Sequence, residues 1–241
     1  MWNIGVDEAG RGPVLGPLVV GAVAVPAVDI QLLIDYGVKD SKHLSHSKRL
    51  EIARWFHDTA RQRQWHSFVH VCQPERIDHA VDSTGLNLLE VELFAEALNE
   101  IRTKMVEPVS IMNDACDVNE QRFSDRIAAR LSGWPWKESS MKSEHKADTN
   151  HVIVGMASIL AKVKRDEAIH SLEEDLNATL GSGYPSDPKT KAAIDGLLEG
   201  EFPHPSLRWS WKTIVRAWRV KHGEDPPKRP FRDKLQPTLF D

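Results

Sequence analysis

Four acidic residues stand where acids are costly. Asp7 and Glu8 end the strand-like run Trp2–Val6, Asp114 closes the run that begins at Val109, and Asp148 precedes a strongly helical stretch. A carboxylate at the tip of a buried strand must be paired, hydrogen-bonded or bound to a cation, because an isolated buried charge is expensive. Hard oxygen donors with no His or Cys cluster nearby select Mg²⁺ or Mn²⁺ rather than zinc. Two such ions about 4 Å apart suit in-line attack on a phosphodiester. Side chains alternate along a strand, so Asp7 and Glu8 cannot both point one way in regular β structure. The glycines at 10 and 12 can break that pleat and let both acids reach a common centre. The turn Gly10-Arg11-Gly12 also offers backbone N–H groups and one forked cation, which together can read sugar hydroxyls and a phosphate. Plainer readings stand beside these. Asp114 and Asp148 also suit helix caps or surface positions, and Gly-Arg-Gly suits a plain tight turn.

The elements that must position these residues follow from periodicity. Strands are expected over Trp2–Val6, Leu18–Val25, Ser67–Cys72 and Val109–Met112, with a weaker one over Lys137–Met141. The first two are so close in sequence that a hairpin-like antiparallel pair is expected. Helical spacing marks Ser47–Arg63, Gly85–Met105, Asn119–Leu131, Met156–Leu176, Lys189–Glu199 and Ser206–His222. Gly181–Pro188 reads as a loop, and the proline-containing tail from Glu224 as a flexible end. Three early strands followed by strand–helix alternation indicate an α/β protein with a mixed sheet and helices on its faces.

A chain of 241 residues suits one large domain, or one domain plus a helical appendage. The net charge of −4 conceals an uneven distribution: His204–Lys234 holds nine Lys/Arg against three acids, a local charge of +6. A basic region beside acidic clusters fits a protein that holds phosphates in one place and cations in another, and a solvated basic helix explains the same count. The two cysteines, Cys72 and Cys116, make no framework and read as buried free thiols of a cytoplasmic protein. The apolar run Val14–Val25 is too short to span a bilayer, so no membrane segment is expected.

The string IGVDEAGRGPVLGPLVVGAV at 4–23 closely resembles the opening motif of the ribonuclease HII family. The resemblance continues in family order through GVKDSKHLS at 37–45, GLNLLE at 85–90, NDACDVNEQRF at 113–123, SEHKAD at 143–148, ASILAKVKRD at 157–166 and GSGYPSDPKT at 181–190. It covers about 190 residues, and the later blocks look archaeal in wording. What it implies is a ribonuclease H-like fold, a five-stranded mixed sheet flanked by helices with a C-terminal helical extension. The implied division is a catalytic domain over 1–190, a helical region packed on it over 191–223, and a flexible tail over 224–241.

The implied activity is metal-dependent endonucleolytic cleavage of the RNA strand of RNA/DNA hybrids. It extends to nicking 5′ of single ribonucleotides in duplex DNA, by two-metal-ion catalysis that leaves 5′-phosphate and 3′-hydroxyl ends. Carried over residue by residue, Asp7, Glu8, Asp114 and Asp148 form the catalytic, Mg²⁺- or Mn²⁺-binding set. Gly10, Arg11 and Gly12 match the motif that contacts a 2′-hydroxyl, the group that distinguishes RNA from DNA. Tyr184 matches the tyrosine that packs on the following deoxyribose, Lys42 a lysine near the substrate phosphate, and Asn87 a further contact. Ser158 and Lys162 fall in a matched block where helix packing is an equal reading.

The tail residues Gln236, Leu239 and Phe240 resemble a peptide that binds a DNA sliding clamp, although the chain stops at Asp241 without a second aromatic. Other nucleases on the same core, and a non-catalytic hybrid-binding adaptor, are the alternatives. A 2′-hydroxyl-reading turn argues against the first, and four intact acids against the second. A monomer is the default.

Overall fold

The computed structural model describes residues 1–38, 44–105 and 108–230. Five strands form one mixed sheet: β1 (Trp2–Ala9), β2 (Leu18–Pro26), β3 (His66–Cys72), β4 (Val109–Asp114) and β5 (Ser140–Glu144). Their order is β3-β2-β1-β4-β5. The short return between β1 and β2 can only reverse the chain, and β2 runs antiparallel to both β1 and β3. The long helical excursion before β4 permits a parallel crossover, and β4 is parallel to β1 and to β5. The expected α/β class and mixed sheet are therefore what the chain forms.

Alternation along β1 divides the core. Ile4 and Val6 are fully buried with Leu18, Val20 and Ile111 beneath α3 (Pro74–Ser83), α4 (Leu86–Arg102) and α5 (Glu120–Ala128). Leu93, Phe94 and Leu98 of α4 are all 0% exposed, and such burial contributes roughly 1.5–3 kcal/mol per side chain. The opposite face carries Val23 and Val25 against α1 (Ile30–Asp35), α2 (His46–Arg63) and α7 (Val152–Leu176). Two glycines let α7 lie flat there: a Cβ at Gly5 would be 2.4 Å from the Ile153 carbonyl, and one at Gly21 2.5 Å from that of Ala157. The short helix α6 (Ala147–Asn150) leads into α7. A third cluster joins Val14, Leu15 and Ile169 to α8 (Pro188–Gly196) and α9 (Lys212–His222).

Several boundaries differ from expectation. Helix α3 had no counterpart in the sequence reading, although Pro74 at its first turn and the buried Ile77 and Ala80 are the usual signals. Strand β5 lies three residues later than expected and ends beside the site. Helix α9 begins at Lys212 rather than Ser206, because the backbone N–H groups of Trp209 and Ser210 are taken by the Asp78 carboxylate at 2.9 and 3.0 Å. That carboxylate also receives Arg229 at 3.0 Å, and Arg229 lies 4.4 Å from the Trp209 ring, so the tail is held down as far as it is described. Among the described residues no helix is long and apolar enough to cross a membrane.

Candidate active site

The ladder between β1 and β4 stops at Val6 and Asn113, whereas β1 stays paired with β2 as far as Ala9. Asp7 and Glu8 therefore lie past the end of that ladder, Asp7 level with Asp114, the last residue of β4. Carboxyl ends of parallel strands are where open α/β sheets place ligand sites. Carboxylate oxygens of Asp7, Glu8 and Asp114 all lie within 4.8 Å of one another. The pleat between Asp7 and Glu8 is intact, which corrects the expectation that Gly10 and Gly12 break it. Asp7 turns to the α7 side of the sheet, where Ser158 and Lys162 meet it. Glu8 turns to the α4 side, where the Cys116 thiol donates to its Oε2 at 3.2 Å. The two acids converge because both overhang the open corner beside β4. Asp148, 2% exposed on α6, lines the same cleft but lies outside the group of three.

Asp7 is 3% exposed, and its pKa is raised well above the usual carboxylate range. Burial is the first cause, followed by the charges of Glu8 and Asp114; the Ser158 hydrogen bond and Lys162 pull the other way. Lys162 Nζ donates to Ser158 Oγ at 2.9 Å, so both residues of that matched block serve the acid corner. Acids crowded until burial and mutual repulsion destabilise their ionised form are the donor chemistry of a divalent-cation site. Asp114 Oδ1 accepts the Ala147 N–H at 2.7 Å, which ties β4 to the start of α6.

The adjoining turn is braced from two directions. Arg11 Nη1 donates to Glu90 Oε2 at 2.6 Å and to the Cys116 carbonyl at 3.2 Å, and its Nη2 donates to Asn87 Oδ1 at 2.7 Å. Arg11 and Asn87, both expected at the substrate, are thus brought to each other. Arg208, 0% exposed, donates to the carbonyls of Gly16 at 3.1 Å, Arg11 at 2.9 Å and Gly10 at 2.5 Å. Gly10 has φ +90°, and a Cβ there would lie 2.5 Å from Arg165 Nε. At Gly12 a Cβ would meet the Tyr184 ring at 3.3 Å, so the turn and the tyrosine are in contact range.

Tyr184 is 43% exposed on its loop. The loop is fixed beneath it: Val14 N–H donates to the Gly183 carbonyl at 2.8 Å, and Arg165 Nη2 to that of Ser182 at 2.8 Å. Asp187 accepts from Ser182 and Lys189, hydrogen bonds that hold its carboxyl down at about 2. Lys42, Gln236, Leu239 and Phe240 lie outside the described residues.

Sequence reasoning missed three residues. Glu90 is fully buried, with its pKa pushed up to about 8 by burial first and by Glu8 second. Its signal was an acid within the leucine-rich stripe of α4. Arg208 and Arg165 gave no comparable signal, since isolated arginines in helical stretches are usually solvated. Cys116 is half-buried at the site rather than buried in the core. Burial, then Glu8 and Glu90, push its thiol well up, so it remains a protonated donor.

A family profile described as ribonuclease HII matches residues 4–214. Ribonuclease HII of Thermococcus onnurineus (strain NA1) is 43% identical over 238 residues, 96% of each chain. The crystal structure of ribonuclease H2 from Pyrococcus horikoshii OT3 superposes with a TM-score of 0.78 at 39% identity, over 91% of this chain and 98% of that one. The RNase HII of Archaeoglobus fulgidus, solved as a complex with PCNA, gives a TM-score of 0.74 at 32% identity, over 88% and 96%.

Proposed function

The chain belongs to the ribonuclease HII family of endoribonucleases, which act on the RNA strand of RNA/DNA hybrids, and from that premise we propose that it also nicks duplex DNA 5′ of a single embedded ribonucleotide. The observation that carries the proposal is adjacency in one cleft. The acid corner Asp7–Glu8–Asp114, the Gly10–Gly12 turn and Tyr184 line it together, with Arg11, Lys162 and Arg165 as cations on its walls.

In this reading Asp7, Glu8, Asp114 and Asp148 hold Mg²⁺ or Mn²⁺. Two divalent cations bound there supply the polarised water and the countercharge that phosphodiester hydrolysis requires. The protein's own part is placement. The turn meets the 2′-hydroxyl, which only a ribonucleotide offers. Tyr184 packs on the sugar that follows, where a deoxyribose fits and registers an RNA–DNA junction. Arg49, Arg165 and Lys162 line the cleft and balance the phosphate charge, and Lys42 adds to them. Cleavage leaves a 5′-phosphate on the ribonucleotide side and a 3′-hydroxyl. The C-terminal residues Gln236, Leu239 and Phe240 dock on a DNA sliding clamp, a reading supported by the PCNA complex of the Archaeoglobus relative.

The test uses a DNA duplex carrying one labelled ribonucleotide, incubated in Mg²⁺, in Mn²⁺ and in chelator beside an all-DNA duplex. A metal-dependent nick 5′ of the ribonucleotide with the control intact is expected. Cutting of the all-DNA duplex overturns the 2′-hydroxyl reading, and binding without cutting in either metal overturns the enzymatic one. For the tail, a clamp pull-down compares wild type with Phe240→Ala; equal retention sinks the docking.

A further inference from the structure

We propose that Glu90 is the positioning residue of the 2′-hydroxyl-reading turn, acting through Arg11. The inference deepens the function proposed above and rests on it. Glu90 stands one helical turn after Asn87 on α4, so the two share a face, and Arg11 bridges them with separate nitrogens. Glu90 is 0% exposed, and its Oε1 has no hydrogen-bond partner. Among the described residues Arg11 is the one cation within ion-pair distance of it, at 2.6 Å. The Arg11 side chain is itself 36% exposed.

That asymmetry sets the direction of the dependence. A fully buried carboxyl with one strong partner needs that partner more than a half-exposed guanidinium needs the carboxyl. Arg11 is drawn inward onto α4, and the turn that carries it follows. Arg208 holds the carbonyls of Gly10 and Arg11 from the other side. With those carbonyls and the Arg11 guanidinium engaged, the turn has its N–H edge left to present to a sugar. Oxygens of Glu8 and Glu90 and the Cys116 sulfur also lie within 4.8 Å of one another, the spacing of a metal site. Arg11 already sits on Glu90 and on the Cys116 carbonyl, so the cation of that cluster is the guanidinium.

The experiment measures kcat, KM and melting temperature for wild type, Glu90→Gln, Glu90→Leu, Arg11→Ala and the Glu90→Leu/Arg11→Ala double variant. One substrate is a duplex with a single ribonucleotide, and the other is a long hybrid, both in Mg²⁺. A single ribonucleotide offers one 2′-hydroxyl to a misplaced turn, whereas a long hybrid offers one at every register. Glu90→Leu is therefore expected to raise KM for the single ribonucleotide about tenfold, with kcat changed less than about threefold and a smaller effect on the hybrid. Glu90→Gln, which keeps an acceptor for Arg11, recovers part of the loss. The double variant loses no more than Arg11→Ala alone. Unchanged KM with a lowered melting temperature assigns Glu90 to the fold and overturns the proposal, as do multiplying losses in the double variant. If Glu90→Leu does not fold, the Gln variant decides: wild-type KM on both substrates overturns the proposal. Wild type that cuts neither substrate refutes the proposed function itself.

Discussion

The acid corner and the Gly-Arg-Gly turn lie side by side in one cleft, yet their electrostatics are opposite. Asp7, Glu8 and Asp114 crowd like charges together, and the raised pKa of Asp7 records its burial first and that repulsion second. At the turn both guanidiniums are matched by acceptors: Arg11 has Glu90 and Asn87, and Arg208 has three carbonyls. Under the proposed function, chemistry would rest on charge left unbalanced for an incoming cation. Under the proposed function, selectivity would rest on over-determining the position of a short piece of backbone. The two regions should therefore respond in opposite ways to mutation.

The largest effect is expected at the acid corner. Asp7→Asn should reduce turnover by at least about 10²-fold, since even outer residues of metal sites carry roughly 10–100-fold in affinity or activity. Its melting temperature should be unchanged or raised, because one repelling charge is gone. A cooperative unfolding transition lost in this variant would make Asp7 structural and erase the contrast. At the turn, Arg208→Met should instead lower stability by about 3 kcal/mol, each orphaned buried carbonyl contributing roughly 1–3 kcal/mol. A denaturant titration showing less than about 1 kcal/mol would mean that α4 braces the turn alone.

A smaller effect separates the regions by pH. The folded pKa of Asp7 lies above its unfolded value of 3.8, so the native state holds more protons across that window. Stability of the chelated protein should then fall as pH rises from about 4, the slope that linkage requires when the native state binds the proton. Asp7→Asn should flatten that slope, and so should added Mg²⁺. Melting curves of both proteins with and without metal would decide, and identical slopes would remove Asp7 as the origin. The smallest change in stability is expected for Tyr184→Ala, within about 0.5 kcal/mol, given the exposed ring. Its cleavage of single ribonucleotides should drop more than its cleavage of long hybrids. Equal drops would detach Tyr184 from the turn beside it.

Much of this arrangement was legible in the sequence, and the limits were physical. Acids at the ends of apolar runs announced Asp7, Glu8 and Asp114, because composition alone shows where a buried strand stops. The convergence of Asp7 and Glu8 depended on β1 outrunning β4, a register that no local pattern encodes. Glu90 was not singled out because its partner lies 79 residues away. Arg208 looked like a solvated arginine because the carbonyls it serves lie nearly two hundred residues earlier. Helix α9 was drawn too long because Asp78, from a helix not foreseen, takes the N–H groups of residues 209 and 210.

The contacts from Arg208 to Gly16, Arg11 and Gly10 span 192, 197 and 198 residues. During synthesis the four acids leave the ribosome well before Arg208 does. A nascent chain therefore carries every candidate acid, and the Arg11–Glu90 half of the bracing, before it carries the Arg208 half. Completion of the C-terminal region is thus the step that adds the second brace to the Gly10–Gly12 turn. A chain released short of Arg208 that still distinguishes ribonucleotide from deoxyribonucleotide would show that the order does not matter.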